Sequence, residues 1–152
     1  MNMKIFYIAL ITLLLSSCSL FKSNTETIES VSMSRSGCYG KCPIYTVKVF
    51  KDGSVTYEGK MFVDHIGSYS LTKKVNFQEL ENLVEQTDFF KLEDRYMLEI
   101  ADIPSCGVTV TTNEKVKSVL ENGEGPLGVK KIQGFIDTFL KNTTEDDWLK
   151  KE

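Results

Sequence analysis

Ile44-Tyr45-Thr46-Val47-Lys48-Val49-Phe50-Lys51-Asp52-Gly53-Ser54-Val55-Thr56-Tyr57-Glu58-Gly59-Lys60 is the stretch whose reading decides the fold. Its first seven residues alternate. Tyr45, Val47 and Val49 fall on one face, and Thr46 and Lys48 on the other, as in a strand that buries one side. Asp52-Gly53 follows. It is the strongest short hairpin signal, because a type I′ turn needs positive φ at both central residues. Ser54 to Lys60 returns as the partner strand, with Val55 and Tyr57 turned inward.

Reading outward from this hairpin, Ile66 to Lys73 predicts a third strand carrying Tyr69 and Leu71. Ile28 to Met33 predicts another strand before the hairpin. Asn76 suits an N-cap, and Glu79 stands three residues on, as in a capping box. Phe77, Leu80, Leu83, Val84 and Thr87 then keep helical spacing, with an end expected near Asp88. Phe89, Phe90 and Leu92 are expected to fold back onto the core. Alternation resumes in Cys106, Val108 and Val110, opposite Thr109 and Thr111. Thr112-Asn113-Glu114 turns the chain into Lys115 to Leu120, a second hairpin. Asn122 to Gly125 reads as a loop, and Pro126 suits the first position of a final helix. Ile132, Phe135, Ile136, Phe139 and Leu140 form its apolar stripe. The expected class is α+β: an antiparallel sheet built from two hairpin units, each followed by a helix packed on one face.

The N-terminus carries a different signal. Lys4 precedes the apolar run Ile5 to Leu15, and Leu15-Ser16-Ser17-Cys18 closes it. A charged start, an apolar middle and small residues before a cleavage point describe a secretory signal peptide. The run is too short for a bilayer span, which needs about 20 apolar residues. Leu-Ser-Ser-Cys looks like a bacterial lipobox. In that pathway residues 1–17 are removed and Cys18 becomes the lipid-bearing first residue, an anchor rather than a span. Ser19 in place of Asp favours the outer membrane, with the protein facing the periplasm. The polar segment that follows gives a lipidated tether over 18–27. A single α+β domain is expected over 28–150.

Composition narrows the function classes. Removing residues 1–17 from the 152-residue chain takes away Lys4 and no acid, so 17 basic residues face 21 acidic ones and the net charge becomes −4. The 135 residues left suffice for one core but not two. Mild, interspersed acidity provides no electrostatic footprint for nucleic acid. Membrane contact is expected through the lipid alone, and an envelope protein or a small ligand remains as the possible partner.

Cys38, Cys42 and Cys106 are left for an oxidising compartment, and each of the three possible pairings leaves one thiol over. Chain entropy assigns about 2 kcal/mol to the short Cys38–Cys42 loop and about 4 kcal/mol to a bridge from either to Cys106. The longer bridge also requires Cα atoms within about 7 Å.

The string Arg35-Ser36-Gly37-Cys38-Tyr39-Gly40-Lys41-Cys42-Pro43-Ile44-Tyr45 is similar to the opening motif of a family of bacterial envelope proteins, the DUF6438-type domain. The likeness continues through Asp52-Gly53, Val55, Tyr57, Gly59 and Gly67. It takes in Phe89-Phe90, Asp94, Tyr96, Asp102, Pro104, Pro126 and Trp148, and so spans about Met33 to Trp148. The resemblance implies an envelope domain, often secreted or lipid-anchored, and no activity. It implies a Cys38–Cys42 bridge with Cys106 as a buried thiol. Arg35 and Asp102 both match family positions, so a polar Arg–carboxylate pair, structural or binding, is expected there.

No catalytic residue and no cofactor is assigned, and the expected role is a non-enzymatic binding or structural module of the envelope. Redox chemistry with Cys38 and Cys42 is the enzyme alternative, but Cys-x-x-Cys in a βαβ context is the motif it calls for. The spacing here is one residue longer and leads into a strand. Cys38, Cys42, Cys106 and His65 are the right types for zinc but lack its spacing, so no metal is expected. Glu93, Asp94, Glu99 and Asp102 cluster in sequence, which glycoside hydrolysis could use. Local acid clusters are more often solvated loops, and Asp102 before Pro104 suits a turn.

Overall fold

The computed structural model describes residues 26–152. The expected signal peptide, the expected lipid attachment at Cys18 and most of the expected tether therefore lie outside the described residues. Strands β1 (Ile28–Arg35), β2 (Ile44–Phe50), β3 (Val55–Met61) and β4 (Gly67–Leu71) form a consecutive antiparallel meander. Helix α1 (Phe77–Gln86) follows, then β5 (Arg95–Tyr96), β6 (Cys106–Thr112), β7 (Val116–Glu121), helix α2 (Leu127–Lys141) and β8 (Trp148–Lys150). All eight strands lie in one open sheet of order β5-β7-β6-β1-β2-β3-β4-β8.

The hairpin that organises the sheet forms as the alternation requires, with Tyr45, Val47, Val49, Val55 and Tyr57 all buried. Its turn differs from the expected one. Among the described loop residues only Gly53 has positive φ, at 79°, so the loop is not type I′. Phe50 and Ser54 pair across three residues, and Asp52 accepts from the Ser54 amide at 3.0 Å and its hydroxyl at 2.6 Å. That side-chain turn makes a second positive φ unnecessary, and a three-residue loop with glycine in the left-handed position is the next commonest hairpin solution.

The helices pack on the apolar face of the sheet. Leu80 and Val84 of α1 and Val129, Ile132 and Ile136 of α2 join Val31, Met33, Val47, Val108 and Val110 in one core. Full burial of each such side chain contributes about 1.5–3 kcal/mol. Asn76 occupies the N-cap of α1 but caps through its backbone carbonyl, which accepts from the Glu79 amide at 3.2 Å. Its side chain makes no cap bond, so the capping box does not form. Pro126 stands one position before α2 rather than inside it.

Two features depart from a purely antiparallel pair of hairpin units. β1 sits between β2 and β6 and pairs antiparallel with both, so it joins the two units into one sheet. β5 runs parallel to β7, with Arg95 opposite Leu120 and Tyr96 opposite Glu121. Two residues are too few for a sequence pattern. They form because β7 would otherwise leave edge amides unpaired: Leu120 N–H donates to Asp94 and Asn122 N–H to Tyr96. β8 covers part of the opposite side of the sheet by pairing with β4.

Candidate functional site

One row of residues crosses the sheet at the end nearest the cysteine loop. Glu121 on β7 lies opposite Cys106 on β6, Cys106 opposite Arg35 on β1, Arg35 opposite Tyr45 on β2, and Tyr45 opposite Gly59 on β3. The strand period of two puts all five on the core-facing side, where the next row inward is Val119, Val108, Met33, Val47 and Tyr57. A polar row thus closes one end of an apolar core.

α2 supplies the partners of this row. Tyr45 Oη donates to Asp137 Oδ1 at 2.9 Å and accepts from Arg35 Nε at 3.0 Å. Arg35 also makes an ion pair with Asp137. Burial, reinforced by the Asp137 charge, raises the Tyr45 pKa well above its ordinary value despite Arg35. The phenol therefore stays a neutral donor. Glu121, only 6% exposed, accepts from Gln133 Nε2 at 3.0 Å and from the amides of Gly123 at 2.8 Å and Gly125 at 3.2 Å. Burial pushes the Cys106 thiol up to about 11, with Arg35 opposing and Glu121 and Asp137 adding to the shift. A thiol this high is almost wholly protonated at neutral pH and is a poor nucleophile.

Beside this row an aromatic groove of about 330 Å³ opens to solvent, lined by Pro43, Tyr45, Tyr57, Phe62, His65 and Trp148. Gly59 makes it possible. A Cβ there would overlap the His65 carbonyl oxygen and come within 2.9 Å of the Tyr57 ring. Its absence lets the β3–β4 loop fold back over the sheet. His65 then stacks on Trp148 with ring centroids 3.8 Å apart and planes 15° apart. Tyr57 and Tyr69 meet the same indole edge-on at 4.9 and 5.8 Å. Phe62 sits half out of the groove at positive φ, 55°, a conformation uncommon for a bulky residue. Tyr57 is pushed up to about 12, by burial first and then by Asp64 and Tyr69.

Cys38 and Cys42 lie at disulfide distance, with Cα atoms 5.6 Å apart. They close the loop that leads through Pro43 into β2 and present Tyr39, 91% exposed, at its tip. Cys106 is buried and unbonded among the described cysteines. Arg35 and Asp102 are not brought together as a pair. The carboxylate that Arg35 meets belongs to Asp137, because the core-facing position of Arg35 directs it under α2. Asp102 is exposed in a turn with φ of 66°. In the acidic stretch, Asp94 pairs with Lys117 at the surface. His65 is within 3.8 Å of Glu145 but joins no cluster. Among the described residues no three His, Cys, Asp or Glu side chains converge on a metal-sized point.

Sequence reasoning missed Asp137, Glu121 and Gln133. Asp137 carried a weak signal, a carboxylate beside the apolar stripe residue Ile136. Glu121 stood at the end of a strand where alternation points inward.

The fold and this site together describe a small α+β domain with a polar cap on its core and an aromatic groove beside a loop closed by two cysteines at disulfide distance. The chain belongs to the family described as Domain of unknown function (DUF6438), whose model matches residues 29–140. No curated protein matches it by sequence.

Proposed function

We propose that this chain is a lipid-anchored bacterial envelope protein, held at the outer membrane facing the periplasm, whose domain is a non-enzymatic binding module. The observation that carries the binding role is the aromatic groove beside the Cys38–Cys42 loop. Loops that hold Tyr39, Phe62 and Pro43 at the surface have the character of recognition surfaces, where aromatic anchors contribute most of the affinity. The anchor is read from Leu15-Ser16-Ser17-Cys18, and a disulfide fits the oxidising compartment to which that signal leads.

Intact-mass measurement of protein extracted from membranes tests the anchor. Loss of residues 1–17 with a diacylglyceryl addition on Cys18 is expected, and a wild-type protein without lipid overturns it. Affinity capture from the native envelope tests binding. Tyr39→Ala and Phe62→Ala should lose the captured partner while keeping the wild-type melting temperature. Capture unchanged in both variants defeats the groove as the surface. The thiol-active alternative requires Cys38 and Cys42 to cycle. It would be favoured if the native protein reduced a disulfide substrate and Cys42→Ser abolished that reaction.

A further inference from the structure

On the outer side of the two helices, away from the sheet, an open groove of about 560 Å³ runs between α1 and α2. Its floor is apolar: Val75 and Leu83 from the α1 side, Phe135 and Phe139 from α2. Lys73, Lys74 and Lys131 stand on its rim against one acid, Glu79. This is a local cationic excess on a chain whose net charge is −3. Lys74 is engaged by Asp52, and Lys73 donates to the Asn142 carbonyl. Lys131 makes no hydrogen bond or ion pair among the described residues. The groove continues past Leu83 and Lys131 into a second depression that reaches Leu127, which is 70% exposed.

Gly134 gives the groove a second, independent mark. It lies in the interior of α2 and lines the groove, and a Cβ there would meet nothing within 4 Å. Helix packing therefore does not demand a glycine, although an interior glycine weakens a helix relative to alanine. Gly128, the second residue of the same helix, is different, because a Cβ there would run into the Thr87 hydroxyl. Packing accounts for Gly128. What Gly134 provides is an unfilled stretch of groove.

We propose that this interhelical groove binds the acyl chain of a long-chain fatty acid, with the carboxylate held by Lys131 at the Leu83 end. Apolar floor and cationic rim match the two ends of an anionic amphiphile, and the volume falls in the range of small-ligand sites. The proposal stands on residues separate from the aromatic groove, so either can fail alone.

The test is titration of the full chain carrying Cys18→Ser, free of detergent, with cis-parinaric acid, a naturally fluorescent long-chain fatty acid. Saturable binding is expected, weakened about tenfold or more in Gly134→Leu and in Lys131→Glu. The methyl ester of the probe should bind more weakly than the acid. Gly134→Leu should also melt higher than the parent, since leucine is the better helix former, so its loss of binding is not a loss of fold. Absence of saturable binding, or binding unchanged in Gly134→Leu, overturns the proposal. So does a dimer that Gly134→Leu dissociates while the probe fails to bind, since the groove would then be filled by a second copy.

Discussion

The Tyr45 hydroxyl donates to the Asp137 carboxylate at 2.9 Å, joining residues 92 positions apart in the chain. This bond, with the Arg35 contacts to both groups, ties the end of β1 and the start of β2 to the last helix. It sits where the apolar core ends, so each of the three groups is partly desolvated and each depends on the other two.

Removing the carboxylate should be costly. Asp137→Ala leaves the Arg35 guanidinium and the Tyr45 hydroxyl without their acceptor and should destabilise by about 1–3 kcal/mol, at the lower end because the pair is partly solvated. Urea unfolding measures it. In a double-mutant cycle, Arg35 and Asp137 should couple by at least about 0.5 kcal/mol, whereas Arg35 and Asp102 should be additive. Additivity at Arg35 and Asp137 would remove the polar cap from the account of stability.

Glu121 predicts a pH dependence. Burial is the largest single influence on it and raises its pKa. The Gln133 amide, the two glycine amides and Lys130 together outweigh burial, so the folded value lies below the ordinary 4.5. A depressed carboxylate stabilises above its unfolded pKa and loses that contribution as pH falls through the folded one. Glu121→Ala should therefore cost about 2–3 kcal/mol at pH 7, from stranded donors. The gap from wild type should narrow as the solution is taken below about pH 4. A gap that is constant or widens with acid would contradict this.

Cys106 should be silent in the native protein. Buried, and with its pKa pushed up to about 11, it should resist a maleimide at pH 7 and react only on unfolding. Cys106→Val and Cys106→Ala should each be tolerated within about 1–2 kcal/mol, because the thiol serves as a small apolar group. Rapid labelling of native protein, or a cross-link from Cys106 to Cys38 or Cys42 in non-reducing peptide maps, would show a different arrangement.

Gly59→Ala should displace the β3–β4 loop. The added methyl cannot coexist with the His65 carbonyl, so the loop must lift and the His65–Trp148 stack must open. A loss of about 2 kcal/mol or more is expected, in line with overpacking. Trp148 is the chain's single tryptophan, so its fluorescence should shift towards that of a solvated indole. An unshifted spectrum would mean that Gly59 does not hold the groove in place.

Much of this molecule was legible along the chain because its elements are local. The alternation of Tyr45, Val47 and Val49 and of Cys106, Val108 and Val110 marked two strands and their buried faces. The 3.6-residue spacing of Leu80 and Val84, and of Ile132 and Ile136, marked both helices. Each pattern reports a period imposed by backbone geometry, so it needs no knowledge of the partner. The Cys38–Cys42 pairing came from family likeness rather than spacing, and the proposed lipid anchor at Cys18 rests on the N-terminal sequence pattern alone. Tertiary structure decided what is non-local. The insertion of β1 between β2 and β6, the two-residue parallel β5 and the closing β8 depend on which edges remain unpaired after collapse. The choice of Asp137 over Asp102 for Arg35 depends on which carboxylate α2 carries over the sheet. A chain shows the charges it has but not their distances. Coulomb and hydrogen-bond energies are set by distance and burial, so the ion-pair partner, the buried Glu121 and the groove over Gly59 emerge only on folding.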